Sequence, residues 1–500
     1  MGRTAEPHQH QRDHRRVRTD AVTGAEADAW QDVIGEHRWR SAGTVWVEEE
    51  VEYSREQVGA LAAAVERAVG RCEGARVVCL RADTRLGFFA GQLGVWRAGC
   101  VAVADDGSLA ADALDRVRPD LTLSVRGTDA GEGEPVQELH RAPDRLPADR
   151  IPADVVAVNF TSGSTGRRKA VAVTRGNLLA LFGCRGLDVP TDGPPTAGGF
   201  AAPAFDGWWF DTWKAVAAGG RVVRLPHVNE DVFAWPELAE RYRIDRVLLP
   251  AAVITTVVGA MPECLAGIPW IFSGGEQFHT ATYRQARDAG LANRFVNLYG
   301  PTEATFATHR YDLPDGFAAD AIPIGFPLDG CEQTLLPAGD SPDHLRHLVV
   351  SGPLVCAGYL DEGRLTEPFP TRAGRTTYST GDLVQQEPSG ALVYAGRLDS
   401  QIKVNGSRVD TVALQTAATG LAGVLDCRVA QDVRGTVAFV HLAPDATDEE
   451  ALRGRLEPLV RSFSDAIRLH LVHAFPTKAG GKIDFPSLLD DAHTERAGNR

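Results

Sequence analysis

The sequence predicts an α/β protein: a large body built on parallel sheets, followed by a small α+β domain at the C-terminus. Three observations carry that expectation. Short apolar runs alternate with helically patterned segments over most of the chain, the signature of βαβ units. The pattern changes to strand, strand, helix, strand in the last hundred residues. At about 150 residues per domain, 500 residues suggest two to four domains.

Residues 1–30 read as a solvated tail, because five arginines and three histidines before Thr19 show no apolar periodicity. Ser54 with Gln57 resembles a capping box, and Val58, Leu61, Ala62, Val65 and Val69 follow helical spacing. Val77–Leu80 reads as a buried strand, Leu86–Ala98 as a helix closed by Gly99, and Val101–Ala104 as the next strand. Leu121–Val125, Val155–Phe160, Val222–Leu225, Arg246–Leu249 and Ile268–Phe272 continue the series. The body is expected over 31–396. In the domain over 397–500, Val424–Asp432 and Thr436–Leu442 read as an antiparallel pair turning at Gly435. Thr447 with Glu450 reads as a capping box opening a helix to about Ser462.

Composition narrows the class. Apolar residues make up 44% and charged residues 24%, an ordinary globular mix. A net charge of −14 disfavours a general nucleic-acid binder, which needs surplus cations. No stretch approaches the about 18 apolar residues of a membrane span. The eight scattered cysteines lack metal-site spacing, so reduced thiols in a cytoplasmic protein are expected.

The chemistry sits in five ordered motifs. An apolar strand runs into Thr161-Ser162-Gly163-Ser164-Thr165-Gly166-Arg167-Arg168-Lys169, where hydroxyls, glycines and a lysine suit an anion. It is not a Walker loop: Arg168 stands where that motif needs glycine, and Ala170 follows the lysine. Asn297-Leu298-Tyr299-Gly300-Pro301-Thr302-Glu303 comes next, then Tyr378-Ser379-Thr380-Gly381-Asp382. Gly396-Arg397-Leu398-Asp399 opens the fourth motif, which runs to Arg408, and Gly480-Gly481-Lys482 lies in the fifth.

In these motifs the chain resembles the adenylate-forming enzymes, most closely the amino-acid adenylation domains of nonribosomal peptide synthetases, over about residues 45–488. The resemblance implies a large N-terminal adenylate-forming body and a mobile C-terminal lid. It implies a ligase that joins a carboxylate to the α-phosphate of ATP with Mg²⁺, releasing pyrophosphate. The acyl group then passes to the phosphopantetheine thiol of a carrier protein. The same resemblance implies the residue roles. Thr161, Ser162, Gly163, Ser164, Thr165, Gly166 and Lys169 hold the β- and γ-phosphates. Thr302 contacts the α-phosphate, and Glu303 holds the metal. Gly274, Gly275 and Glu276 run along the adenine, Tyr299 stacks on it and Asn297 reads its amino edge. Asp382 accepts from the ribose beside Arg397. Asp399 is the hinge, and Lys482 reaches in from the lid. Asn405, Leu414 and Gln415 depart from the family pattern, as does the Arg168-Lys169-Ala170 triplet.

Phe205-Asp206-Gly207 matches the segment where an Asp after Phe pairs with a substrate α-ammonium. A half-buried carboxylate selects a cationic partner because leaving it alone is costly. The remaining pocket positions carried over are Phe210, Ala252, Ile271, Ser273, Leu298, Phe306 and Ala307. They form an apolar lining that implies a neutral, apolar amino acid, α or β. With no carrier signature after Lys482, a stand-alone enzyme with its carrier in trans is expected, and a small activating partner protein is compatible with the family. Rival readings are an acyl- or aryl-CoA ligase and an amide-forming ligase, both using the same adenylate chemistry.

Overall fold

The computed structural model describes residues 24–498, apart from 108, 110, 128–134, 143–145, 162–167, 339–343, 399–400, 405–406, 433, 445, 447 and 478–482. Three sheets form the body. In the first, Arg294–Tyr299, Trp270–Ser273, Arg246–Leu249, Thr196–Gly199, Arg221–Arg224 and Thr44–Glu48 run parallel, with antiparallel strands at both edges. In the second, Val155–Thr161, Val101–Ala104, Val77–Ala82 and Leu121–Val125 are parallel. Lys169–Thr174 and then Gly358–Asp361 add antiparallel beside Val155–Thr161. The third is an antiparallel sheet of Glu332–Pro337, Leu345–Ser351, Arg375–Gln386 and Leu392–Arg397. Strands buried on both faces, such as Val101–Ala104, can be continuously apolar because helices or sheets cover each side.

The helix Arg85–Arg97 lies between the first two sheets, and every residue from Leu86 to Trp96 is buried. Its Phe89 ring stacks on Trp46 of the first sheet at 5.1 Å, while the Trp96 indole donates to the Val156 carbonyl of the second at 2.9 Å. Gln92 is the polar group at its centre. Its side-chain oxygen accepts from the indoles of Trp208 at 2.8 Å and Trp213 at 2.7 Å. The π-helical turn Trp209–Lys214 is thereby fixed, and Trp209 adds a bond to Asn159 at 2.6 Å. Asp211 of the same turn accepts from the backbone N–H of Phe200 and Ala201 and from the Thr212 hydroxyl. Burial pushes its carboxyl up to about 7, against those three donors.

The C-terminal domain has the hairpin Gln401–Val404 with Ser407–Asp410, the helix Thr411–Thr419, and a three-stranded sheet of Val424–Asp432, Gly435–Leu442 and Ile467–Val472. It docks on the body through a cluster that holds Ala252 against Phe439, Phe475 and Ile483.

Two element expectations need correction. A helix, Gly24–Ile34, begins inside the segment read as tail and buries Trp30, Val33 and Ile34. Its tryptophan lies 5.1 Å from the Trp96 ring, an anchor that the polar run before it gives no sign of. The helix expected from Thr447 is Glu449–Phe463, and its cap is Asp448, whose carboxylate accepts from the Ala451 N–H. Thr447 itself lies outside the described residues. The Ser54–Gln57 capping box is present as expected.

Replacing Gln92 by Leu would strand two buried indole N–H groups, each costing about 1–3 kcal/mol. The variant is expected to unfold about 2–4 kcal/mol more easily in a urea titration. An unchanged midpoint would show that the indoles find another acceptor.

Candidate active site

The first sheet's parallel strands carry the site at their carboxyl ends, where α/β sheets open a crevice. Beyond Thr196–Gly199 come Phe200, Ala201 and Ala202. Beyond Arg246–Leu249 comes Pro250. Trp270–Ser273 is followed by Gly274, Gly275 and Glu276, and Arg294–Tyr299 by Gly300 to Glu303. All of these line one cleft of about 650 Å³. The second sheet adds Thr161, Lys169 and Tyr359, and the third adds Tyr378, Thr380 and Arg397. Asp206, Gly207, Leu248 and Phe306 complete the lining.

The turn at 300–305 is tightly specified. A Cβ at Gly300 would meet the Ala307 Cα and the Phe306 carbonyl oxygen at 2.6 Å each, so only glycine fits. Thr305 adopts φ of 68°, a strained value for a β-branched residue. Its hydroxyl donates to the Leu354 carbonyl at 2.6 Å, and the Cys356 N–H donates to the Glu303 carbonyl at 2.9 Å, which hold the turn in place.

Three carboxylates are gripped by hydroxyls. Tyr359 Oη donates to Glu303 Oε1 at 2.6 Å and lies 3.2 Å from Tyr378 Oη. Burial, and then the neighbouring Glu303 charge, hold the Tyr359 hydroxyl far above its ordinary pKa, so it stays a donor. Lys169 Nζ sits 4.5 Å from the centroid of the same Tyr359 ring, which joins the strand after the phosphate-loop motif to the Glu303 turn. Asp382 accepts from the Tyr299 hydroxyl and, at 3.0 Å, from Arg397. Asp206 accepts from the Thr302 hydroxyl.

Most of the expected site residues converge on this cleft, but some do not. Ser162, Gly163, Ser164, Thr165, Gly166, Asp399 and Lys482 lie outside the described residues. The residues flanking the lysine segment, Thr477 and Ile483, pair by an isolated bridge, and Thr477 lines a recess with Ala202. Asn297 is buried and its amide donates to the Pro323 carbonyl at 2.8 Å, so that N–H₂ group is engaged away from the cleft. Tyr299 directs its hydroxyl to Asp382, and its ring meets His309 in a T-shaped contact at 5.7 Å.

The acceptor-pocket positions are corrected by strand geometry. Ala252, two residues past Pro250, belongs to the cluster that meets the C-terminal domain and does not line the cleft; Leu248 does. Ile271 faces the opposite side of the first sheet, with Leu249 and Phe295. Phe272, its neighbour, meets Phe210 at 5.1 Å on the cleft side, as alternation requires. Ser273 is fully buried, and Gly274 takes the next cleft-side position, near Leu248 and Leu298. Phe210, Leu298 and Ala307 stand behind the lining. Phe210 stacks on Phe306 at 5.3 Å, which shortens the pocket. A Cβ at Gly207 would come within 2.9 Å of Leu248 Cδ2, so a larger residue there would push the Leu248 side chain aside. Sequence reasoning missed Tyr359 and Leu248, although Gly358-Tyr359-Leu360 pairs directly with the strand after the phosphate loop.

Among the described residues no group of three His, Cys, Asp or Glu side chains could hold a metal ion. Glu303 is one of three carboxylates in the cleft lining, with Asp206 and Glu276, and the three do not form a cage. That donor set fits Mg²⁺ shared with substrate phosphates rather than caged by protein.

Comparison with known proteins places this fold and its cleft among AMP-forming ligases. The family model described as AMP-binding enzyme matches residues 104–360, and the chain belongs to that family, whose members use ATP and form AMP. An L-proline--[L-prolyl-carrier protein] ligase of Streptomyces coelicolor is 32% identical over 361 residues, 68% of this chain and 67% of that protein. An L-allo-isoleucine:holo-[CmaA peptidyl-carrier protein] ligase of Pseudomonas savastanoi pv. glycinea is 29% identical over 74% of this chain and 64% of that protein. Some relatives are far longer: the match to malpibaldin synthetase of Mortierella alpina, at 30% identity, spans 68% of this chain and 6% of that protein. The crystal structure of IdnL7 shares the fold, with a TM-score of 0.71 at 24% identity over 94% of this chain and 98% of that one. Holo-PA1221, an NRPS protein containing adenylation and PCP domains, gives a TM-score of 0.63 at 25% identity over 93% and 84%. Among the described residues no helix is long and apolar enough to cross a membrane.

His309 underlies Tyr299 and yields a pH prediction. Its Nε2 bonds Gln333 at 2.8 Å and its Nδ1 meets the Thr308 hydroxyl at 2.9 Å, a pattern for neutral imidazole. Burial lowers its pKa from 6.5 to about 4. The folded state therefore favours the neutral ring. Its stabilisation is complete above pH 6.5 and is lost as pH falls through about 4. His309→Gln is expected to flatten the fall in unfolding free energy across that window, as read by urea titrations at stepped pH. An unaltered slope would contradict it.

Proposed function

We propose that this ligase activates a neutral, apolar amino acid as its aminoacyl adenylate and passes it to the phosphopantetheine thiol of a carrier protein. The observation that carries the reading is the Asp206 carboxylate, held by the Thr302 hydroxyl in the cleft that Glu303 and Lys169 also line. A carboxylate there selects a cationic substrate group, and an α-ammonium beside a carboxyl satisfies it. The names of the proline and allo-isoleucine ligases support both the amino acid and the carrier.

In the first step a substrate carboxylate oxygen attacks the α-phosphorus of ATP, the bond to the β-phosphate oxygen breaks, and pyrophosphate leaves. Both reactants are anionic, so charge and alignment dominate the barrier. Asp206 would anchor the ammonium. Thr302 would pass its hydroxyl between Asp206 and the reacting phosphate. Thr161 and Lys169, with the loop between them, would meet the terminal phosphates. Asp382 and Arg397 would orient the ribose. Glu303, oriented by Tyr359, would hold Mg²⁺, which supplies charge neutralisation at the phosphates. Lys482 would lie between carboxylate and α-phosphate. In the second step the thiol sulfur attacks the acyl carbon, the thiol proton is lost, and AMP departs. Lid rotation about Asp399 would separate the two steps.

A CoA ligase would share the nucleotide groups but would not need Asp206. Pyrophosphate exchange with a panel of amino, aryl and fatty acids separates the readings, and exchange with aryl or fatty acids alone would overturn this one. Asp206→Ala is expected to lower amino acid kcat/KM about 10²–10³-fold with ATP affinity nearly unchanged, because a buried ion pair loses one partner. Equal efficiency would remove Asp206 from the ammonium site. Glu303→Gln should suppress exchange and recover partly as Mg²⁺ is raised, since an amide holds a hard dication less well. A Mg²⁺ profile like that of the unaltered enzyme counts against the assignment. Lys482→Ala should slow adenylation about 10²–10³-fold while sparing thiol transfer from a supplied adenylate; equal loss in both steps would refute a two-pose lid.

A further inference from the structure

The lid meets the body through more than apolar contacts. Four ionisable side chains are sealed into one network where the lid strand Val424–Asp432 crosses the body. Asp426, 2% exposed, sits 2.8 Å through Oδ1 from His279 Nε2. Its Oδ2 accepts from Arg428 Nε at 2.9 Å. The Arg428 guanidinium also faces Glu276, with NH2 and Oε2 4.0 Å apart. His279 and Glu276 belong to the body, and Asp426 and Arg428 to the lid. All four side chains are 15% exposed or less. Burial raises the Asp426 carboxyl, but Arg428 and His279 outweigh it and leave the acid at about 2, so the carboxylate is charged.

We propose that Asp426 and Arg428 are positioning residues for the adenylation step: with His279 and Glu276 they form a latch that fastens the lid in this pose. The proposal rests on the two-step reading above. Glu276 is the link to chemistry, because it lines the nucleotide cleft alongside Gly274 and Gly275. In the same pose Thr477, at one end of the Lys482 segment, shares a recess with Ala202, and Ala202 lines the cleft.

The chemistry of the latch suits a contact that must form and break. A buried ion pair adds little net stability, because desolvation offsets attraction, yet it penalises any arrangement that leaves one member buried and alone. When the lid leaves, all four groups return to water together, so release is cheap. When the lid docks out of register, Asp426 is buried without His279, so misdocking is costly. An apolar surface of the same size would hold the lid more tightly but would tolerate sliding. Arg428 also gives the lid a direct line to the nucleotide wall through Glu276.

The test uses the full chain and reads the two steps separately. Adenylation is followed by pyrophosphate exchange. Transfer is followed from a supplied aminoacyl adenylate to pantetheine. Asp426→Asn and Arg428→Met are each expected to slow exchange about ten- to a hundredfold, since the competent pose becomes a minor population. Pantetheine transfer should be unchanged or faster. Arg428→Lys, which keeps the charge, should recover part of the exchange rate. His279→Gln combined with Asp426→Asn should cost less than the two single effects multiplied, because the pair is broken once. Unchanged exchange, or equal loss in both steps, would overturn the latch. Should Asp426→Asn lower the thermal midpoint, Arg428→Met and Arg428→Lys carry the decision, and equal loss of both steps by Arg428→Met again overturns it. If the unaltered enzyme exchanges only aryl or fatty acids, the amino acid reading fails alone, and the same split is measured with that acid.

Discussion

Hydroxyl groups hold three carboxylates of the site, Glu303, Asp382 and Asp206, and the rest of the site depends on that choice. Tyr359 grips Glu303, Tyr299 grips Asp382, and Thr302 grips Asp206. A hydroxyl orients a carboxylate and satisfies one lone pair without cancelling its charge. A lysine or arginine in the same place would fix geometry equally well but would neutralise the group. The two carboxylates read as meeting cations, Glu303 and Asp206, are the ones whose named partners are neutral hydroxyls. Asp382, read as meeting neutral ribose hydroxyls, also takes Arg397 at 3.0 Å.

That arrangement works only if its supports do not move. Asp206 precedes the turn Trp209–Lys214, and this turn is tied at three points. Gln92 bonds two of its indoles or their neighbours, Asn159 bonds a third, and Asp211 bonds the backbone of Phe200 and Ala201. Each tie leaves from a different element: the central helix, the second sheet, and the loop ending a first-sheet strand. A cluster of tryptophans would alone pack this region tightly but could be satisfied in several registers. Buried polar bonds at fixed points select one. The strained Thr305 backbone, held by its bond to Leu354, plays the same part for Glu303.

How much of this was legible in the chain depended on locality. The nucleotide motifs were readable because glycine, proline and hydroxyl residues cluster at strand ends, where turn chemistry is written in adjacent residues. The acceptor pocket was less so. Trp270-Ile271-Phe272-Ser273 is apolar enough for either face, and only pairing with the flanking strands decides that Phe272 and not Ile271 points to Phe210. A one-residue change of register swaps every side chain across the sheet. Tyr359 escaped notice for a related reason: it lies mid-strand, with no turn signal, and meets Glu303 across 56 residues of chain. The helix Gly24–Ile34 was hidden by the polar run before it, and its burial depends on a distant Trp96.

The lid interface illustrates the same limit and adds a physical point. Asp426 and Arg428 sit in a strand, Val-Leu-Asp-Cys-Arg-Val, that also builds the small domain's own core through Val424 and Cys427, packed with Val440 of the next strand. Alternation alone would send the charged residues to solvent. They are buried because a second body covers that face, and burial of a carboxylate at 2% exposure is tolerable only with His279 and Arg428 in place. A charged pair on the outer face of an edge strand is therefore ambiguous in sequence, being either ordinary solvated polarity or a docking code. What distinguishes the two is the complementary pair, Glu276 and His279, carried about 150 residues earlier beside a glycine pair that the nucleotide reading had already singled out. The alternation of charge within each pair, Glu then His on the body and Asp then Arg on the lid, lets each acid face a base across the seam. Reversing either pair would set like charges together in a buried space, so the order of the residues constrains the pose as strongly as their identity.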